Sequence, residues 1–144
     1  MTFEQLFVMQ KLDQIKGYLI ETEDFFRSSN EEILKDSQKI HVAERLLQLI
    51  VDAMIDVNQH FIKELDFKAS EDFQGTFYIL AENNILPVDF SNKIAPVVGV
   101  RNRIVHRYEE LDKKLFITTF RKNKDDFKKF IDLIKEQLNK LAVG

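Results

Sequence analysis

The sequence predicts an all-α protein, an up-and-down bundle of four to five helices, and three observations carry that expectation. Apolar residues recur three and four positions apart over long stretches, which is the period of a helix face turned towards a core. Glycine (4) and proline (2) are too scarce to furnish the many turns of an all-β fold. Apolar residues make up 44% of the chain and charged residues 31%, the balance of a globular protein rather than a disordered one. At 144 residues, with no internal repeat, low-complexity tract or linker, residues 1–144 read as one domain long enough for a real core. Thirteen phenylalanines and no tryptophan put the aromatic filling of that core on Phe.

The first helix is expected from Phe3 to Phe26, with Leu6, Met9, Leu12, Ile15 and Leu19 at helical spacing. Ser28, Ser29 and Asn30 interrupt it. Ser29, followed three residues later by Glu32, has the spacing of a capping box for the short turn EEILK. The second long helix, Ser37 to Leu65, is the most apolar part of the chain, and from Leu46 to Val57 it is apolar all round, so it should be buried on most sides. Asp52, Asp56 and His60 follow at four-residue intervals on one face of it. That face either looks to solvent or lines a polar seam opposite cationic partners, because buried carboxylates need pairing.

Ser70 can cap a third helix, EDFQGTFYILAEN, which would bury Phe73, Phe77 and Leu80 and end at Asn83 and Asn84. Pro87 restarts the chain at a helical first turn. A fourth helix is expected from Val88 towards His106, kinked by Pro96, whose missing N–H removes one backbone bond just before a cluster of arginines. The last helix, Asp112 to Leu141, carries a stripe of Phe127, Phe130, Ile131, Ile134, Leu138 and Leu141 with lysines and acids opposite.

The absence of cysteine excludes a disulfide scaffold, a thiol nucleophile and any Cys-containing metal site. The opening stretch MTFEQLFVMQKLDQIKGYL is broken by charge every few residues, so neither a signal peptide nor a membrane span is expected, and the protein is expected in the cytoplasm. A net charge of −3 argues against a surface built to hold long duplex nucleic acid. Against that acidic background, RNRIVHR (101–107) carries three arginines and a histidine with no acid, so any nucleic-acid contact should be local.

Arg101 to Tyr108, RNRIVHRY, contains the residue types needed to cut RNA without a metal or cofactor. Histidine titrates near neutrality and can take a proton from the ribose 2′-hydroxyl or give one to the leaving oxygen. Arginine offers a fork of donors matched to phosphate oxygens and keeps its charge as a phosphorane gains negative charge. RNA supplies the nucleophile through its own 2′-hydroxyl. In an unbroken helix Arg101 and His106 would point about 140° apart. They can meet one substrate only if the helix ends near His106 or if two copies of the motif converge. Ile104 and Val105 form the apolar pair that would anchor the turn. Arg103 and Arg107 could contact the RNA backbone or pair with Glu109 or Glu110. His41 and His60 read as surface or internally satisfied helix residues rather than metal ligands, and no metal set is expected.

The string fits an R-x4-H-x-Y pattern and resembles the HepT-type toxins of the HEPN superfamily. HVAERLLQLIVDAMIDVNQHFIKEL is similar to that family's central helix, FYILAENNILP to its next helix and turn, VVGVRNRIVHRYEELD to its signature segment, and TTFRKNKDDFKKFIDLIKEQL to its closing helix. The resemblance implies a helical homodimer whose two Arg–His motifs lie together across a two-fold axis. It implies a metal-independent endoribonuclease that arrests growth, with Arg101 and His106 as the catalytic pair and no cofactor. Asn102 would hold His106 or a phosphate oxygen, and Asp56, on the central helix, would orient Arg101 or His106. The implied partners are RNA and an MntA-type minimal nucleotidyltransferase antitoxin, which transfers AMP from ATP onto the motif tyrosine, Tyr108. Phosphodiester-linked adenylate there would set negative charge where RNA phosphate should bind. A non-catalytic helical partner that only presents substrate or nucleotide, and a purely structural helical dimer, are the alternatives. The presence of both Arg101 and His106 favours the nuclease.

Overall fold

A computed structural model describes residues 3–143, so Met1, Thr2 and Gly144, the ends of the expected 1–144 domain, lie outside the described residues. Helix α1 (Gln5–Phe25) buries Val8, Leu12, Ile15 and Leu19. The buried stripe therefore begins at Val8, and the expected Leu6 and Met9 face outwards. A turn of about 100° per residue explains this, since Leu6 and Met9 lie well round the helix from the Val8–Leu12–Ile15 line.

After α1 the chain is held by Arg121, which donates to the carbonyls of Phe26 (3.0 Å) and Ser28 (2.8 Å) and to the Asn30 Oδ1 (2.9 Å). Two of these are backbone carbonyls at and just beyond the end of α1, which no helical N–H reaches, and the third is a side-chain oxygen. The expected capping box is present: Ser29 Oγ accepts from the Glu32 N–H, and the Ser29 N–H donates to Glu32 Oε1. It opens α2 (Asn30–Leu34). Asp36 then caps α3 (Ser37–Glu64), accepting from the N–H groups of Gln38 and Lys39. Helix α3 is the hub of the bundle, packed against α1, α2, α4, α6 and α7, which is why its middle is apolar on nearly every face.

Helix α4 (Phe73–Glu82) is capped by Asp72, whose Oδ1 accepts from the Gly75 N–H at 2.7 Å. Ser70, the cap expected from sequence, instead donates to the Asp72 carbonyl. The later start puts Phe73 in the first turn and leaves it 40% exposed, whereas Phe77 and Leu80 are buried as expected. Asn84, at φ 63°, closes the helix in the left-handed region that asparagine tolerates.

The expected single helix kinked at Pro96 is two helices, α5 (Val88–Ile94) and α6 (Val97–His106). Pro96 has no N–H to continue the ladder, and the N–H groups of Val98 and Gly99 turn back three residues to Ala95 and Pro96. A 3₁₀ turn, Tyr108–Glu110, follows α6. Asp112 starts α7 (Lys113–Val143), accepting from the Leu115 N–H. Phe116, Phe120, Phe127, Phe130, Ile134 and Leu138 of α7 are buried, and this helix closes the bundle against α1, α2 and α3. The all-α class holds. The extra segments come from the short α2 and the break at Pro96.

The acid-rich face of α3 is a seam with a partner at each step. Asp56 pairs with Lys11 Nζ at 2.9 Å, and His60 Nε2 accepts from the Glu4 N–H at 3.0 Å. The His60 ring packs edge-on to Phe3 and stacked on Phe7. Burial holds the imidazole below its ordinary pKa, outweighing the neighbouring Glu64 and Glu4, and the accepting nitrogen requires the neutral ring. A histidine depressed in the folded state supports folding above its unfolded pKa and loses that support as pH falls through the folded value. The thermal midpoint should therefore fall as pH drops from about 7 to about 5, and His60→Gln, an acceptor that does not titrate, should flatten the fall. Equal slopes for the two proteins would refute this.

Candidate active site

Arg101 leaves the middle of α6 and is fixed on three sides. Its Nε donates to Asp52 Oδ1 at 2.8 Å, its Nη1 donates to Asn102 Oδ1 at 3.2 Å, and its guanidinium lies 5.7 Å from the centre of the Phe73 ring. The out-turned Phe73 thus covers a cation face, a favourable use of an exposed aromatic. The arginine side chain is only 14% exposed, yet Asp52 beside it is 37% exposed, so the pair sits at the edge of solvent. A guanidinium has five N–H donors; with two engaged here, three remain for an incoming anion.

The acid that orients Arg101 is Asp52, and this corrects the expectation for Asp56. The two acids stand one turn apart on α3. Helix α6 meets α3 at the Asp52 level, whereas the Asp56 carboxylate is taken by Lys11 of α1. Asn102 contacts Arg101 rather than His106.

His106 is the last residue of α6 and is exposed, and its side chain makes no hydrogen bond or ion pair among the described residues. The backbone leaves the helix at Arg107 (φ −139°, ψ 54°). The helix is nonetheless unbroken from Val97 to His106, so Arg101 and His106 leave it about 140° apart. Arg107 pairs with Glu110 at 3.1 Å, the ion pairing expected as one of its two readings. The Arg103 side chain has no hydrogen-bond or ion-pair partner among the described residues. Of the expected apolar anchors, Ile104 packs on the core, while Val105 is 39% exposed.

Tyr108 opens the 3₁₀ turn, and its hydroxyl donates to Glu44 Oε2 at 2.8 Å. Glu44 is buried on α3, and the Lys113 ammonium lies 5.5 Å from the tyrosine ring centre. Burial, then the hydrogen bond and the charge of Glu44, push the phenol above its ordinary pKa. Glu44 was not singled out from sequence. The signal was there: Glu44 falls two four-residue steps before Asp52 along α3, on a row that drifts about 40° round the helix per step and so turns it towards a different neighbour.

The motif is not the site of the groove between α1 and α7, which has a volume of about 390 Å³ and is lined by Lys16, Ile20, Lys128 and Lys135 among others. Among the described residues, no group of three or more His, Asp or Glu is arranged to hold a metal ion. No helix among them is long and apolar enough to cross a membrane.

Comparison with known proteins sets this geometry in context. The family described as Ribonuclease HepT-like matches residues 15–134. The tRNA nuclease HepT of Aphanizomenon flos-aquae is 34% identical over 109 residues, 76% of this chain and 74% of that protein. The mRNA nuclease HepT of Shewanella oneidensis is 31% identical over 91 residues, 63% of this chain and 68% of that protein. Among solved structures, a tri-AMPylated Shewanella oneidensis HEPN toxin in complex with an MNT antitoxin superposes with a TM-score of 0.84 at 25% identity, covering 90% of this chain and 97% of that one.

Proposed function

The chain belongs to the HepT-like ribonuclease family, and on that footing we propose that it is the toxin of a toxin–antitoxin pair, an endoribonuclease restrained by a nucleotidyltransferase antitoxin that AMPylates Tyr108. Residues 1–144 act as one such domain, in the cytoplasm. The observation that carries the reading is the state of Arg101, locked by Asp52 and Asn102 with three donors left over, on the same helix as an unencumbered His106.

In the cleavage step the ribose 2′-oxygen attacks the adjacent phosphorus while the bond to the 5′-oxygen of the next nucleotide breaks. His106 exchanges protons with these oxygens, and the Arg101 fork faces the non-bridging oxygens as their charge builds. Because Asp52 and Asn102 hold the guanidinium in advance, little reorganisation is needed at the moment of reaction. Arg103, whose donors are unpaired among the described residues, is placed on the RNA backbone, and Arg107 contributes there only when it parts from Glu110.

The angle between Arg101 and His106 supports a composite cleft, with the arginine of one protomer completed by the histidine of its partner in a two-fold homodimer. Mixing chains tests this. Arg101→Ala and His106→Ala should each be inactive on RNA in EDTA. Reassorted together, they should regain about a quarter of the wild-type rate, since half of the random dimers then hold one intact site of two. A mixture as inactive as its parents would overturn the composite cleft.

AMP on Tyr108 adds a phosphodiester charge and bulk beside that cleft and so competes with RNA phosphate. Tyr108 is a control point and not part of the cutting machinery.

A further inference from the structure

The contact between Tyr108 and Glu44 has no part in cutting RNA, yet it joins the tyrosine to a carboxylate that is only 7% exposed. Among the described residues, the Glu44 side chain makes no ion pair and no hydrogen bond besides the one from the Tyr108 hydroxyl. We infer that Glu44 is the proton acceptor for nucleotidyl transfer to Tyr108. The inference rests on Tyr108 being the residue that the antitoxin modifies.

In that step the phenolic oxygen forms a bond to the α-phosphorus of ATP held by the antitoxin. The bond from the α-phosphorus to the β-bridging oxygen breaks, pyrophosphate leaves, and the phenolic proton passes to Glu44 Oε2. At 2.8 Å the acceptor is already within the range at which a general base works. A phenol is a weak nucleophile while protonated, and burial together with Glu44 pushes this one further from ionising on its own. Proton transfer also neutralises Glu44, so the negative charge of the new phosphodiester on the half-exposed Tyr108 does not stand beside a second anion. The Lys113 ammonium lies over the phenol ring, and Glu109 and the exposed Arg107–Glu110 pair stand on the same turn. The ammonium faces the ring rather than the hydroxyl, and Arg107 is engaged, so neither competes for the proton.

The test is the rate of AMP addition, read by intact mass, for the full chain with its nucleotidyltransferase and ATP across a pH series. Glu44→Gln keeps the shape and an acceptor oxygen but cannot take the proton. It should be modified about tenfold or more slowly, with a rate that climbs steeply with pH as the phenol must ionise unaided. Glu44→Asp should keep the flatter wild-type profile at a lower rate. RNA cleavage by Glu44→Gln should equal wild type, which shows that the fold is intact. A Gln variant modified at the wild-type rate, or more slowly with an unchanged pH profile, overturns the role of Glu44 alone. A wild-type chain that gains no mass overturns both this inference and the control role of Tyr108.

Discussion

His106→Ala lowers RNA cleavage by about 10³-fold, within the range for loss of a general acid–base group, and leaves the thermal midpoint where it was. The two halves of that expectation have separate causes. His106 is exposed at the end of α6 and holds nothing in place among the described residues, so removing its ring disturbs no packing. Its value lies in exchanging a proton near neutrality with an oxygen of the substrate. His60 provides the control. Its ring is packed between Phe3 and Phe7 and bonded to the Glu4 backbone, so His60→Ala should lower the thermal midpoint and leave the cleavage rate of the folded fraction intact. Initial rates on RNA in EDTA, with unfolding curves for each protein, make the comparison. An active His106→Ala protein would remove the basis for the mechanism.

Arg101→Lys lowers cleavage by about 10²- to 10³-fold, although it conserves the charge. A lysine has no Nε–H to reach Asp52 at the arginine position and no planar fork to leave presented towards phosphate. It also moves the cation away from where the guanidinium stands, 5.7 Å from the centre of the Phe73 ring. The supporting acid can be tested in the same assay. Asp52→Ala frees the guanidinium and should cost about tenfold in kcat, because a misplaced catalytic group loses part of its orientation advantage. Asp56→Ala should leave kcat unchanged and act only on stability, through Lys11. In a double-mutant cycle, Arg101→Ala with Asp52→Ala should be no worse than Arg101→Ala alone. If Asp56 rather than Asp52 proved coupled to Arg101, the orientation assigned to the site would be wrong.

Much of the fold was legible in the chain because it depends on local rules. Helix period placed α1, α3, α4 and α7, and the Ser29–Glu32 spacing was enough to read a capping box that the structure contains. Local rules were weaker where two candidates competed. Ser70 and Asp72 both suit a cap, and the choice of Asp72 moved the helix start and turned Phe73 outwards over Arg101. Pro96 announced a disturbance, but a kink and a break both satisfy a missing N–H, and only the packing of α5 and α6 separates them.

The RNRIVHRY segment itself was also fixed by sequence: residue types able to hold phosphate and move a proton, in the only stretch of the acidic chain that carries three arginines and a histidine without an acid. What surrounds those residues was decided by tertiary structure. Glu44, Asp52, Asp56 and His60 fall at multiples of four along α3, and their spacing does not say which partner each will meet. Their partners, Tyr108, Arg101, Lys11 and the Glu4 backbone, come from three different parts of the chain. Which acid meets which group depends on the level at which α1, α6 and the 3₁₀ turn come against the central helix. Packing sets that level, because a buried or half-buried carboxylate is tolerated only where a donor reaches it.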